Sequence, residues 1–112
     1  MTLYAVILTY NEAKHIRDCI ESVRFADHIV VFDSFSTDNT AQIAHEAEVE
    51  VRQRKFDDYA GQRNAALKYV EGHADWVLFV DADERVTPEL AAEVQSAIQT
   101  LSYVAWRVPR LN

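Results

Sequence analysis

Cysteine and glycine are scarce in this sequence, and each shortage excludes a class of structure or site. The one cysteine, Cys19, cannot form an intrachain disulfide, and such sparse use of cysteine fits a reducing compartment. The two glycines are Gly61 and Gly72, so the chain contains neither the Gly-x-Gly-x-x-Gly fingerprint of dinucleotide-binding folds nor the P-loop of NTPases.

Basic residues and long apolar runs are also in short supply. Eleven lysines and arginines stand against eighteen aspartates and glutamates, and the net charge of −7 argues against a nucleic-acid-binding surface. It does not argue against a nucleotide ligand, because a divalent cation can screen phosphates from acidic groups. No apolar run approaches the length that spans a bilayer, and the N-terminus lacks the basic region of a signal peptide.

The chain does have regular apolar runs, which predict strands. Its 112 residues, 49% of them hydrophobic, suffice for one small domain with a core. Continuous apolar runs at Leu3–Thr9 and Trp76–Val80 predict strands that are buried on both faces, and His28–Asp33 predicts a further strand. A short alternating run at Glu48–Val51 predicts an edge strand, and Tyr103–Val108 predicts the last strand.

The segments between these strands have the periodicity of helices. We expect Asn11, Asp57 or Asp58, and Thr87 to cap three of them. The alternation predicts an α/β fold with a Rossmann-like, mainly parallel sheet flanked by helices. The first predicted helix carries Ile16, Cys19, Ile20 and Val23 on the face toward the sheet, with Cys19 as a small core residue, and a short helix is predicted near Thr40–Glu46. In the third predicted helix Tyr59, Arg63, Ala66, Leu67 and Val70 share one face, and the last has a buried stripe of Leu90, Val94, Ala97, Ile98 and Leu101.

The strand at Trp76–Val80 ends in three carboxylates within residues 81–84. In open α/β sheets ligands bind at the carboxyl edge, and clustered oxygen ligands of this kind suit Mg²⁺ or Mn²⁺. The alternative is a solvated loop without a ligand. An EF-hand is excluded, because Arg85 and Val86 stand where its loop requires an acid or amide and then a glycine.

Two further polar loops, Tyr10–Glu12 and Asp33–Asp38, are predicted at the same edge as the acids. Arg63 interrupts the apolar face of its helix near the helix start. Its guanidinium either turns toward the sheet edge, or the residue is an ordinary surface arginine whose stem packs while its head reaches water. The convergence of three polar loops predicts a ligand site.

These loops resemble the motifs of the inverting family-2 glycosyltransferases, which have the GT-A fold and use nucleotide-diphosphate sugars. Thr9–Glu12 resembles the opening motif of the family, and Asp33–Thr40 resembles its Asp-x-x-Ser-x-Asp-x-Thr loop. Gln62–Leu67 resembles the Arg-Asn-x-x-Leu helix, and Asp81–Asp83 matches the Asp-x-Asp element. The motifs occur in the family's order over nearly the whole chain. The Asp-Ala-Asp-Glu-Arg form of residues 81–85 is most similar to the subgroup that adds glucose to lipopolysaccharide core sugars.

The resemblance implies roles for the matching residues. Thr9–Glu12 would line the nucleotide pocket, Asp33 would hydrogen-bond the uracil, and Arg63 would lie near the base or the phosphates. Asp81 would contact the ribose or the water shell of the metal, and Asp83 would coordinate a Mn²⁺ or Mg²⁺ ion that bridges the two phosphates. The full set implied for nucleotide-sugar binding is Thr9, Tyr10, Asn11, Glu12, Asp33, Ser36, Asp38, Arg63, Asp81 and Ala82.

The resemblance also implies a reaction and a location. The sugar of a UDP-sugar donor would be transferred with inversion to a saccharide or glycolipid acceptor of the lipopolysaccharide or cell envelope, in the cytoplasm or peripherally at the inner membrane. Because the family's domain is longer than this chain, we expect residues 1–112 to be a single domain, truncated at its C-terminal end, that lacks the general base. An uncovered sheet edge would favour self-association into a homo-oligomer.

Two other interpretations stay open. The chain is alternatively a non-catalytic α/β module that binds a ligand or oligomerises and has no affinity for nucleotides. A phosphatase of the haloacid-dehalogenase type also places Asp-x-Asp after an apolar strand, and Asp81 would then be the phosphorylated residue. Against it, Arg85 stands where that family has Thr or Val, and the motif lies late in the chain.

Overall fold

One parallel sheet forms the centre of the fold, which a computed structural model describes for residues 2–100 and 106–107. Its strands are β1 (Leu3–Thr9), β2 (His28–Asp33), β3 (Glu50–Gln53), β4 (Trp76–Asp81) and β5 (Trp106–Arg107). They lie in the order β3-β2-β1-β4-β5, and every neighbouring pair is parallel. The predicted Rossmann-like α/β class is therefore confirmed.

Helices cover both faces of this sheet. The helices are α1 (Ile16–Ser22), α2 (Thr40–Glu46), α3 (Tyr59–Val70) and α4 (Pro88–Thr100). Helices α1, α2 and α4 pack on one face, and α3 packs on the other. In β1, Ala5 and Ile7 face the first layer while Val6 faces the second, and all three are fully buried. This two-sided burial is why the strand sequences are continuous apolar runs.

Two of the three predicted helix caps are confirmed. The Asp58 carboxylate accepts a hydrogen bond of 2.6 Å from the Gly61 backbone N–H at the start of α3. The Thr87 hydroxyl accepts one of 3.1 Å from the Leu90 N–H at the start of α4. The prediction for Asn11 is wrong, because α1 begins only at Ile16 and the Asn11 side chain bonds the loop after β2 instead.

Other predicted positions shift by small amounts. Strand β3 begins at Glu50 and not at Glu48, because Glu48 has a φ of 63° and belongs to the turn after α2. Tyr59 is 67% exposed, so it is not part of the buried stripe of α3, which consists of Gln62, Ala66 and Val70.

The C-terminal predictions fall partly outside the described residues. Leu101 lies outside them, and of the predicted strand at Tyr103–Val108 only the backbone of residues 106–107 is described, parallel to β4. Among the described residues, no helix combines the length and the apolar character needed to cross a bilayer.

Candidate functional site

The loops after β1, β2 and β4 meet at the carboxyl edge of the sheet. The Ser34 N–H donates a hydrogen bond of 3.0 Å to the carbonyl oxygen of Thr9, and the Ala82 N–H donates one of 3.1 Å to that of Leu8. The chain leaves β1 toward β2 on one side and returns as β4 on the other. The edge between β1 and β4 is thus a topological switch point, the position at which open α/β sheets bind ligands.

The loop after β1 is fastened to the loop after β2 through Asn11. Its backbone has a φ of 52°, in the left-handed region that asparagine tolerates better than most residues. The Asn11 N–H donates a hydrogen bond of 2.8 Å to Ser36 Oγ, and its side-chain oxygen accepts one of 2.7 Å from the Thr37 N–H. Asn11 and Ser36 therefore shape the site by joining two loops.

Asp33 is buried beneath these loops, with no exposed surface. Its carboxyl oxygens accept hydrogen bonds from the Ser36 N–H at 2.9 Å, the Ser36 hydroxyl at 2.5 Å and the Gln53 side-chain amide at 3.2 Å. A direct bond from Asp33 to a base therefore requires that a covering group, such as the Gln53 amide, moves. In this geometry Asp33 orders the loop.

Asp38 joins the same two loops from the solvent side. Its carboxylate accepts hydrogen bonds from the Thr40 N–H at 3.0 Å, from the Thr40 hydroxyl, and from the Ala13 N–H at 3.2 Å. The Thr40 hydroxyl bond is the largest cause that lowers the pKa of Asp38 below its ordinary value. The Glu12 N–H in turn donates to Thr40 Oγ1 at 2.9 Å. Asp38 and Thr40 thus hold the backbone at Glu12 in place.

Two polar groups at this edge are buried and have no hydrogen-bond partner among the described residues. One is the hydroxyl of Thr9 at the end of β1, and the other is Nε of Arg63 on α3. The guanidinium carbon of Arg63 lies 5.7 Å from the centroid of the Phe79 ring, so this arginine does turn toward the sheet. Buried polar groups without partners are costly, so these two groups are candidates for contact with a ligand.

Gln62 connects α3 to the site, and the sequence analysis missed it. It is almost fully buried; its amide donates a hydrogen bond of 3.0 Å to Ser34 Oγ and accepts one of 3.0 Å from Arg54. Arg54 also makes a two-pronged salt bridge with Asp57. The i, i+4, i+8 spacing with Ala66 and Val70 was the available signal, but a glutamine does not count toward an apolar stripe.

The acidic loop after β4 is internally bonded. The Glu84 carboxylate accepts a hydrogen bond of 2.8 Å from the Asp81 N–H, and the Glu84 N–H donates to the Asp81 carbonyl at 2.9 Å. Ala82 is buried, whereas Asp83 is exposed and Asp81 half-buried. Arg85 makes an exposed salt bridge of 2.7 Å to Asp18 on α1. The turn therefore presents Asp83 to solvent at the switch point.

Cys19 lies directly below the acidic loop, with its sulfur 3.6 Å from the carbonyl oxygen of Asp81. Burial, followed by the nearby charges of Glu84, Asp81 and Asp83, raises the pKa of this thiol to about 12. A neutral, buried thiol is a poor nucleophile. The structure thus places Cys19 in the core, as predicted.

The carboxylates can hold a cation only with the help of a ligand. Among the residues described, no three His, Cys, Asp or Glu side chains stand close enough to form a metal cage. Mg²⁺ is ordinarily bound by one or two carboxylates together with substrate phosphates, and Mn²⁺ suits the same oxygen ligands. Asp81 and Asp83 fit that type of site, in which a diphosphate supplies the remaining oxygens.

Comparison with known proteins decides the family. Residues 4–110 match the family model described as glycosyl transferase family 2. The chain belongs to this family. The predicted membership of glycosyltransferase family 2 is therefore confirmed.

Named relatives extend well beyond the length of this chain. An uncharacterized glycosyltransferase of Rickettsia bellii is 35% identical over 111 residues, covering 96% of this chain and 37% of that protein. Glycosyltransferase SunS of Bacillus subtilis is 31% identical over a match that covers 91% of this chain and 25% of SunS. The lipopolysaccharide core biosynthesis glycosyltransferase LpsC of Rhizobium meliloti is 33% identical over a match that covers 98% of this chain and 42% of LpsC. The chain thus spans less than half of each relative.

Solved structures show the same fold. S. aureus TarS in complex with UDP-GlcNAc is 28% identical, with a TM-score of 0.68 over 89% of this chain and 32% of TarS. Glucosyl-3-phosphoglycerate synthase from Mycobacterium tuberculosis, in complex with Mn²⁺, UDP and glucosyl-3-phosphoglycerate, is 20% identical, with a TM-score of 0.70 over 90% of this chain and 39% of that enzyme. The second likeness is one of fold alone.

Proposed function

We propose that this chain forms the donor site of a glycosyltransferase that transfers a sugar from a UDP-sugar, with inversion, to a saccharide or glycolipid acceptor. The observation that carries the proposal is that hydrogen bonds join three of the four family motifs at one end of the sheet and tie the fourth to Leu8, the residue directly before the first motif. The backbone carbonyl of Thr9 accepts a hydrogen bond from the Ser34 N–H, and the Ser34 hydroxyl accepts one from the Gln62 side-chain amide. The carbonyl of Leu8, beside Thr9, accepts one from the Ala82 N–H. The UDP-GlcNAc complex of the TarS neighbour supports the donor class.

The nucleoside would lie over the loops after β1 and β2. The exposed ring of Tyr10 offers a face for the base, and the unpartnered Thr9 hydroxyl offers a hydrogen bond. The Arg63 guanidinium, whose Nε lacks a partner among the described residues, would bind the base or a phosphate oxygen. The proposed nucleotide-sugar residues remain Thr9, Tyr10, Asn11, Glu12, Asp33, Ser36, Asp38, Arg63, Asp81 and Ala82.

The diphosphate would lie over the acidic loop. Asp83, exposed at the switch point, is the proposed ligand of Mn²⁺ or Mg²⁺, and Asp81 would hold the cation directly or through its water shell. When bound, the cation neutralises charge on the departing diphosphate. We assign Glu84 a positioning role, because its carboxylate accepts the Asp81 N–H and so shapes the turn.

The acceptor is proposed to be a lipopolysaccharide or other envelope glycan, which the name of the LpsC relative supports. A cytoplasmic location, peripheral contact with the inner membrane and self-association remain part of the same proposal. Self-association would use the free edge of the sheet at β3, a strand that among the described residues pairs only with β2. The charged Glu50 and Arg52 on β3 would limit such pairing.

Calorimetric titration with UDP and UDP-glucose, with and without Mn²⁺, tests the donor site. We expect binding that requires the cation, and its loss in Asp83→Asn with an unchanged unfolding temperature. Glu71→Gln is the matched control, because Glu71 is an exposed acid at the far end of α3. A folded protein that binds neither ligand and forms a stable oligomer would favour the non-catalytic module, and metal-independent binding would contradict the role of Asp83.

A further inference from the structure

Phe35 combines two unfavourable features in the loop after β2. Its backbone has a φ of 58°, in the left-handed region that a bulky side chain rarely adopts. Phe35 is nevertheless 54% exposed to solvent, so the conformation does not serve to bury its side chain in the core. Backbone strain of this kind persists where the surrounding structure enforces it, and it clusters at ligand sites.

The neighbours of Phe35 enforce that conformation. The Ser34 N–H is bonded to the Thr9 carbonyl at 3.0 Å, and Ser36 Oγ accepts the Asn11 N–H at 2.8 Å. These two bonds join residues 9 and 34 and residues 11 and 36, so they bracket Tyr10 and Phe35 between them. The two residues therefore stand in neighbouring loops between the same pair of hydrogen bonds, and Tyr10 is likewise 54% exposed.

We propose that Phe35 is a donor-binding residue whose ring packs against the nucleobase beside Tyr10. The inference rests on the proposed function, and it adds a binding residue in the loop after β2. Stacking on aromatic side chains is a common way to hold a base, and it needs a ring that is exposed before the ligand arrives. Because hydrogen bonds already fix the backbone on both sides of Phe35, the loop needs little further ordering on binding.

The order of the strands favours the base over the sugar as the partner of Phe35. The acids that would hold the diphosphate follow β4, whereas Phe35 follows β2, and β1 lies between these strands. In a nucleoside diphosphate the ribose likewise lies between the diphosphate and the base. A diphosphate at Asp83 thus directs the base toward β2, and the transferred sugar extends from the opposite end of the diphosphate.

Titration of the full chain with UDP and with UDP-glucose, both with Mn²⁺, tests this inference in two variants of Phe35. Phe35→Gly removes the ring and suits the positive φ, so it should unfold at a temperature no lower than the unmodified protein. Phe35→Leu keeps an apolar side chain without a ring. Both should weaken the affinity for UDP about tenfold. Phe56→Leu, which alters another exposed phenylalanine after β3, is the control and should stay within twofold.

The outcomes separate this inference from the proposed function. Binding of UDP by the unmodified protein, with equal affinity in Phe35→Gly, would overturn the role of Phe35 and leave the donor site standing. A loss confined to UDP-glucose would show that the ring contacts the sugar and would overturn the assignment to the base. Failure of the unmodified protein to bind UDP would overturn the proposed function of this chain, and the inference with it.

Discussion

The buried side chain of Gln62 on α3 donates a hydrogen bond of 3.0 Å to the hydroxyl of Ser34 in the loop after β2. The same side chain accepts a bond of 3.0 Å from Arg54 in the loop after β3. One amide thereby fixes the loops after β2 and β3 to the helix that carries Arg63. Gln62 shapes the site without an exposed surface of its own, because only 2% of it is accessible.

Replacement of Gln62 by leucine should destabilise the fold by about 1–2 kcal/mol, because the Ser34 hydroxyl and the Arg54 guanidinium each lose a partner. Urea unfolding measures the change. Gln95→Leu is the matched control on an exposed position of α4, and we expect it to stay within about 0.5 kcal/mol. Equal effects of the two substitutions would show that the Gln62 bonds contribute no net stability.

Two substitutions of Asp33 differ in the hydrogen bonds that they leave to Ser36 and Gln53. Asp33→Ala leaves the donors of Ser36 and Gln53 without their acceptor and should cost about 3 kcal/mol. Asp33→Asn should cost less, because the amide oxygen can accept from the Ser36 N–H while the amide nitrogen donates to Ser36 Oγ. Chemical denaturation compares the two, and a loss as large in Asp33→Asn as in Asp33→Ala would contradict this account.

Apolar runs were sufficient to predict the strands, whereas long-range polar contacts were not predictable from local sequence. β1, β2 and β4 occur where continuous apolar segments stand, because burial on both faces leaves no room for polar residues. Asn11 was expected to cap the next helix, yet its side chain bonds Thr37, which lies 26 residues further along the chain. No local pattern encodes that partner.

Long-range polar contacts also explain why the predicted burial of Tyr59 on α3 is wrong. Tyr59 and Arg63 share a helical face with Ala66 and Val70, and the apolar pattern placed Tyr59 in the core. The structure exposes Tyr59, whose ring packs edge-on against Phe56 at a centroid distance of 5.2 Å, and it buries Gln62 instead. A glutamine becomes a core residue only where donors and acceptors meet it, and its partners come from two distant loops.

Acid should weaken the contact between Asp57 and Arg54. The two-pronged bond from Arg54, followed by the bond from the Asp58 N–H, lowers the pKa of Asp57 from 3.8 to about 2. Because the folded pKa is depressed, the stabilising effect is fully present above about pH 4 and is lost as the pH falls toward 2. The pair is exposed, so the effect is small.

Unfolding temperatures between pH 2 and pH 5 test this dependence. We expect the difference between the unmodified protein and Asp57→Asn to shrink as the pH falls through this range, since protonation removes the same charge as the substitution. Glu71→Gln, which alters an exposed acid at the far end of α3, is the matched control for the loss of one negative charge. A difference for Asp57→Asn that stays constant down to pH 2 would contradict the depressed pKa.

Substitution of Arg63 by methionine should lower the affinity for UDP without changing the stability of the fold. Its Nε is buried without a partner among the described residues, and its guanidinium lies over Phe79, so Arg63→Met keeps the packing of the stem while it removes an unsatisfied donor. We therefore expect a free energy of unfolding within about 0.5 kcal/mol of the unmodified protein, together with an affinity for UDP about tenfold lower. Arg17→Met on the exposed face of α1 is the matched control for removal of a positive charge. Unchanged UDP affinity in Arg63→Met, or an equal loss in Arg17→Met, would mean that Arg63 acts only through packing or through the general field of the protein.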